Sequence, residues 1–274
     1  MIYKLRKLIV TLMGFSQEMK KQNISAYAAS IAFFFFLSVV PMLMMVCTII
    51  PYTPLTEEDL VTAVTELTPE LVDPLAESLI SEVYDKSVEL LSVAIIATVW
   101  SAAKGVMALM QGLNAINGVE EKRNYFVIRG IASLYTIVML VVVVLSLFLM
   151  VFGNQLVKLA LYRIPNLRTV VAFAMNFRFV LVWVILTLLF AAIYTYVPDR
   201  KLKFKEQIPG AIFSAVVWSV FSWGFSIYVT YGNSYGIYGS LSIIIIVLLW
   251  MYFCMYITMI GAYLNRYFIF DAEA

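Results

Sequence analysis

The chain has 274 residues, 63% of them hydrophobic and 13% charged, and its 19 basic against 17 acidic side chains leave a formal charge of +2. A soluble domain carries roughly a quarter charged residues to meet water, so this composition and a mean hydropathy of +0.92 exclude an ordinary soluble protein. Histidine is absent, which removes the Ser-His-Asp triad and histidine-ligated metal chemistry.

Residues 1–22 open on Lys4, Arg6 and Lys7, followed by a short apolar run with no small-residue cleavage site, so they do not read as a signal peptide. Leu5, Leu8, Ile9, Leu12 and Met19 recur at helical spacing, which predicts an amphipathic cytoplasmic helix on the membrane surface. A solvated lead-in is the alternative. Six later stretches, 26–50, 90–113, 130–153, 177–197, 208–229 and 241–263, are long enough to span about 30 Å of hydrocarbon. The sequence therefore predicts an all-α, polytopic membrane protein with six transmembrane helices in a single membrane domain, 1–274. Pro41 interrupts the first span and Lys104 the second; a helix bundle tolerates both.

Between the first two spans, residues 51–89 hold most of the acids, from Glu57 to Glu89, against one base, Lys86. Thr56-Glu-Glu-Asp resembles a helix start, and Leu60, Val64, Leu67, Leu71, Leu75, Leu79 and Val83 sit at helical spacing. A helical extracytoplasmic cap is expected there. Its acidity either gathers cations near a pore mouth or simply solvates a surface. Lys4, Arg6, Lys7, Lys20 and Lys21 precede the first span, Lys122, Arg123 and Arg129 precede the third, Arg200, Lys201, Lys203 and Lys205 precede the fifth, and Arg266 follows the sixth. Positive-inside counting puts these regions and both termini in the cytoplasm of a plasma-membrane protein. Lys158, Arg163, Arg168 and Arg178 argue the other way and are outnumbered.

Lys104 is the most informative residue. It stands near the middle of the second span, and every carboxylate lies outside the six spans. A lysine so placed costs on the order of 3 kcal/mol on insertion scales. Trp100, Lys104 and Gln111 share a face within about 40° at the helical period, with Ser101 and Asn114 beside it. That face is either one wall of a hydrated pathway or anion site, or an interhelical hydrogen-bonding seam. The fifth span aligns Ser219, Ser222, Ser226 and Thr230 on one side, with Trp218, Phe221 and Phe225 on another, and the sixth aligns Trp250, Cys254, Thr258, Gly261 and Asn265. Close packing is the simpler reading of both faces. Tyr228 and Tyr231 end the fifth span at an interface, before a glycine-rich connection that includes Gly239.

No phosphate-loop, dinucleotide-binding, zinc-protease or nucleophile-elbow motif occurs. No cofactor, metal or nucleic acid is expected, and the partners are the lipid bilayer and a small solute of unknown identity, with the oligomeric state open.

Tyr27-Ala-Ala-Ser-Ile-Ala-Phe-Phe, Leu37-Ser and Pro41, Trp100-Ser-Ala-Ala-Lys-Gly, Gly112-Leu-Asn114, Tyr196-Val-Pro198, Pro209-Gly210-Ala, Trp218, Phe225-Ser-Ile-Tyr228, Tyr238-Gly239-Ser, Trp250, Gly261-Ala and Asn265 together resemble the YihY/BrkB family of bacterial inner-membrane proteins. Asn117-Gly118 departs from that pattern, where an aromatic residue is expected. The resemblance implies six membrane helices. It also implies a transporter or envelope-resistance role without an established substrate, and a former ribonuclease label that the absence of histidine does not favour. The expected function is transport or export of a small anionic or amphipathic solute along a polar pathway of Lys104, Trp100, Ser101, Gln111, Asn114, Ser222, Ser226 and Asn265. The alternative is a non-transporting scaffold that recruits partners through the acidic loop. An enzyme is not expected.

Overall fold

The computed structural model of the protein describes residues 19–49, 88–163, 178–231 and 240–273, with isolated positions between 58 and 81. Six long helices carry nearly all of it: α1 (Ile24–Ile49), α2 (Val88–Ile116), α3 (Tyr125–Arg163), α4 (Arg178–Tyr196), α5 (Phe204–Tyr231) and α6 (Ser240–Glu273). No strand occurs among the described residues. Helices satisfy their own backbone polar groups, as an open chain in lipid must. The all-α, polytopic expectation holds. Five of the helices, α1, α2, α3, α5 and α6, are long and apolar enough to cross a membrane. The shorter α4 has 19 residues, or about 28 Å, and carries the apolar stretch Val182–Tyr196.

Element boundaries differ from the sequence reading in an instructive way. α3 starts at Tyr125 rather than 130, which takes Arg129 out of the expected basic loop and into a helix. α5 starts at Phe204, so Pro209 falls inside the helix, in its second turn, where its missing N–H leaves one helical hydrogen bond unmade. The surface helix expected over 1–22 lies outside the described residues except at its end, where 19–21 are helical. The cap expected over 51–89 is described only at isolated positions and at 88–89, where α2 begins, and Gly239 lies outside the described residues.

α2 packs on α1 and α3 and touches α6; α1 also packs on α6, α6 on α5, and α5 on α4. The buried core gathers at the end of the bundle where α1, α3 and α5 start and where α2, α4 and α6 finish. Ile24, Ile31, Val106, Met110, Leu113, Ile128, Ala132, Tyr194, Ala211, Met259 and Tyr263 meet there. Farther along the helices, large apolar side chains such as Val93, Ile96, Leu134, Val138, Trp183, Ile185 and Trp223 point outward. Facing water they would be a liability; facing lipid they need no cover.

Small residues let the helices close at the core end. Gly210 of α5 lies against the Gly261 carbonyl of α6 so closely that neither position has room for a Cβ. Pro209 cannot donate a backbone hydrogen bond, and Asn265 of α6 serves the backbone around it. Its Oδ1 accepts from Gly210 N–H at 2.6 Å, while its Nδ2 donates to the Gln207 carbonyl at 3.0 Å and to Gln207 Oε1 at 3.1 Å. Tyr194 Oη donates to the Thr258 carbonyl at 2.7 Å and sits 2.7 Å from Ser214 Oγ, which draws α4 into the same seam. Higher on α5 and α6, Trp250 Nε1 donates to Ser222 Oγ at 3.2 Å and Trp218 Nε1 points to Cys254 Sγ. The close-packed reading of these two faces describes their geometry.

Gly261→Ala should therefore lower stability by about 2–3 kcal/mol, the upper range for overpacking a filled interior. Gly224→Ala, at an exposed position where an added Cβ meets nothing within 4 Å, should instead leave it unchanged or raise it by up to about 1 kcal/mol, since alanine is the better helix former. Thermal unfolding of both variants in one detergent checks the difference.

Candidate functional site

α2 presents two faces of opposite character. One buries Ala103, Val106, Met110 and Leu113 in the core; the other leaves Val93, Ile96, Trp100, Lys104 and Gln111 exposed in a single stripe. Ser101 is half-buried beside it. In a 29-residue helix, Lys104 stands roughly 18 Å from the C-terminal end and about 24 Å from the start. Its Nζ lies 5.4 Å from the centre of the Phe34 ring of α1. Among the described residues no carboxylate lies within ion-pair distance of it. A cation over an aromatic face recovers about 0.5–2 kcal/mol, against a burial cost on the order of 3 kcal/mol at a helix centre. Phe34 alone leaves the charge under-compensated.

α3 brings a second cation to the Trp100 end of this face. Arg129 is 8% exposed; its guanidinium lies 4.4 Å over the Trp100 ring. Its Nη2 donates to the Trp100 carbonyl at 2.7 Å, and its Nη1 lies 3.5 Å from Met107 Sδ. Nε is buried with no hydrogen-bond partner. By sequence Arg129 counts among the loop bases, since the predicted third span begins at Gly130. The missed signal is that Tyr125, Phe126, Val127 and Ile128 already extend the apolar run one turn earlier.

The remaining candidates do not converge on this stripe. Asn114 is buried with both side-chain polar atoms engaged: Nδ2 donates to Glu121 Oε2 at 2.9 Å and Oδ1 accepts from Asp199 N–H at 2.8 Å. It ties the α2–α3 connection to the α4–α5 connection. Arg123 holds Glu121 through Nε at 2.8 Å and Nη2 at 2.7 Å and reaches Asp199 Oδ2 at 3.5 Å. Arg200 donates to the Asn117 carbonyl at 3.3 Å, and Arg266 to the Ile116 carbonyl, where basic side chains complement the helix dipole. Gly118, at φ +65°, ends α2: its N–H bonds to the Ala115 carbonyl and that of Val119 to the Asn114 carbonyl, the glycine-capped pattern that needs a left-handed residue. That is the structural work of the Asn117-Gly118 departure. Asn265 belongs to the α5–α6 seam, Ser222 bonds Trp250, and Ser226 is exposed, its carbonyl accepting from Thr230 at 2.9 Å. Pro41 lies within α1, and Tyr228 is exposed near the end of α5.

An apolar hollow of about 280 Å³ opens between α1, α2 and α3, lined by Met45, Ile95, Val99, Ile137, Leu140, Val141, Val144 and Leu145. It offers no polar group to orient a ligand. Among the described residues no three His, Cys, Asp or Glu side chains come together to hold a metal.

The family model described as virulence factor BrkB matches residues 15–271. A Bacillus subtilis protein, YfkH, whose name calls it putatively ribonuclease-like, is 31% identical over 240 residues, covering 87% of each chain. Shorter matches join UPF0761 membrane proteins. One of Pseudoalteromonas translucida is 36% identical over 77 residues, 28% of this chain and 26% of that one. One of Vibrio vulnificus is 39% identical over 74 residues, 27% and 24%. No solved structure matches the chain.

Arg123 holds the Glu121 carboxyl below its ordinary value of 4.5, outweighing partial burial, with Asn114 helping. A depressed folded value means the contribution is present above the unfolded pKa and disappears as pH falls through the folded one. Glu121→Gln should thus cost about 1.5–3 kcal/mol at pH 7, the range for a hydrogen bond to a charged group. The gap from the parent should close once pH drops below the usual carboxylate range. Unfolding temperatures of the pair between pH 7 and pH 3 check both the size and the sign.

Proposed function

The chain belongs to the virulence factor BrkB family, and from that premise we propose that it is a membrane carrier for an anionic amphiphile, taken in sideways from the lipid onto the Lys104 face of α2. The observation that carries this reading is an ammonium group exposed near the middle of an outward stripe, with no carboxylate in ion-pair reach among the described residues. A charge at that depth is stabilised by an opposite charge brought to it. The apolar continuation of the stripe, Ile96 and Val93, suits a hydrocarbon chain. One molecule carrying both features is an amphiphile.

An aqueous conduit through the bundle finds less support. Its best polar candidates, Asn114 and Asn265, have their side-chain groups engaged with neighbouring connections and helices. In this reading the closed core end faces the cytoplasm, since Lys20, Lys21, Lys122, Arg123, Arg200, Lys201, Lys203 and Lys205 cluster there. α4 counts as the sixth span, the membrane is the plasma membrane, and both termini are cytoplasmic. RNA hydrolysis is no part of it: the chain has no histidine, and the described residues supply no metal-ligand cluster.

Reconstitution tests the reading. In vesicles, the protein should speed the transbilayer movement of a fluorescent short-chain phosphatidylglycerol. Lys104→Met should slow it at least about tenfold, consistent with loss of a charge-assisted contact, while Lys104→Arg keeps most of the rate. Equal rates for the parent and Lys104→Met, with both folded by their unfolding temperatures, would end the proposal.

A further inference from the structure

We infer that Arg129 and Lys104 form a two-cation site for a phosphate group, with the Trp100 ring as its floor. This inference rests on the lateral-entry reading for how the ligand arrives, and adds the ligand's chemistry and a second binding residue.

Arg129 is more than nine-tenths buried, yet its charge is answered by one carbonyl, a sulfur and an aromatic face, while Nε has nothing. Among the described residues the other buried side-chain atom without a partner is the neutral Gln22 Oε1, whereas Asn114, Asn265 and Tyr194 are each held by two or more partners. Among the described residues no carboxylate approaches Arg129 within ion-pair distance. A buried guanidinium left this way is costly, and an arriving anion would relieve the cost.

Trp100 and Lys104 are one helical turn apart on the same stripe, so the guanidinium over the Trp100 ring from α3 and the ammonium beside the Phe34 ring of α1 occupy successive turns of one face. The two cations come from different helices. A carboxylate has two oxygens, which a single guanidinium fork fills. A phosphodiester also carries two charged oxygens, but they sit on a tetrahedral rather than a planar centre and each accepts more than one hydrogen bond, so a planar fork and a point-like ammonium approaching from two helices can share it. Trp100, 60% exposed, leaves apolar surface for the adjoining glycerol or chain. The phosphate belongs to a lipid headgroup or arrives as the free ion.

The test uses the purified full chain in detergent with three probes: short-chain phosphatidylglycerol, diacylglycerol of the same chain length, and inorganic phosphate. Binding is read as the rise in unfolding temperature over each variant's own ligand-free baseline, so a structural loss in the variant is subtracted. Arg129→Gln should weaken phosphatidylglycerol at least about tenfold, Arg129→Lys should recover part of it, and diacylglycerol should be indifferent to both. Arg129-dependent binding of inorganic phosphate would assign the free ion as a source; its absence would leave the lipid headgroup. If phosphatidylglycerol binds no better than diacylglycerol, or equally well to Arg129→Gln, the residue is a clamp between α2 and α3 and the site is refuted. Lys104-dependent transport with binding indifferent to Arg129 would sink this site alone. Arg129-dependent binding in a protein that moves no lipid would keep the site and sink the transport reading.

Discussion

In hydrocarbon a polar side chain has no water to fall back on, so it must find its partner inside the protein or in a ligand. That constraint sorts the polar residues of this bundle into two groups. Asn114, Gln207, Ser214, Asn265 and Tyr194 are satisfied by neighbouring helices and connections, and they hold the core end shut. Lys104 and Arg129 meet mainly aromatic faces, with one carbonyl and one sulfur for Arg129.

The first group depends on close helix approach. Without a hydrophobic drive between helices in lipid, packing and interhelical hydrogen bonds must supply association. Gly210 and Gly261 bring α5 and α6 together, and only at that spacing does the short Asn265 side chain reach the backbone beside Pro209. The same end gathers most basic side chains of the connections, where Arg123 and Glu121 lock two connections to Asn114. A bundle held at one end by these contacts, with an outward stripe of exposed side chains on α2 among the described residues, is suited to admitting a ligand from the side.

Much of the architecture was legible because long apolar runs leave few alternatives: each of the six expected spans meets a helix. Boundaries were less so, since proline before a span and aromatic residues at its edge both read as punctuation. Pro209 sits inside α5, and Tyr125 opens α3. The shared face of Trp100, Lys104 and Gln111 follows from the helical period alone. Which way that face points does not, because periodicity carries no information about neighbours. Asn114 and Asn265 looked like pathway residues for the same reason: an amide in a span is equally suited to bonding a helix or a solute. Arg129 was hidden by its place among true loop bases, Lys122 and Arg123.

The central claim is that the Lys104 ammonium is neutralised by a phosphate-bearing anion at the flank of α2. Solid-state NMR can ask this directly, with 15N-lysine protein in bilayers containing phosphatidylglycerol and the Lys104 signal identified by its disappearance in Lys104→Met. The account predicts dipolar dephasing of that ammonium by lipid 31P, at a separation of about 3.5–4 Å for a nitrogen hydrogen-bonded to a phosphate oxygen. A Lys104 signal untouched by phosphorus, in a bilayer where the surface lysines are dephased, would contradict it.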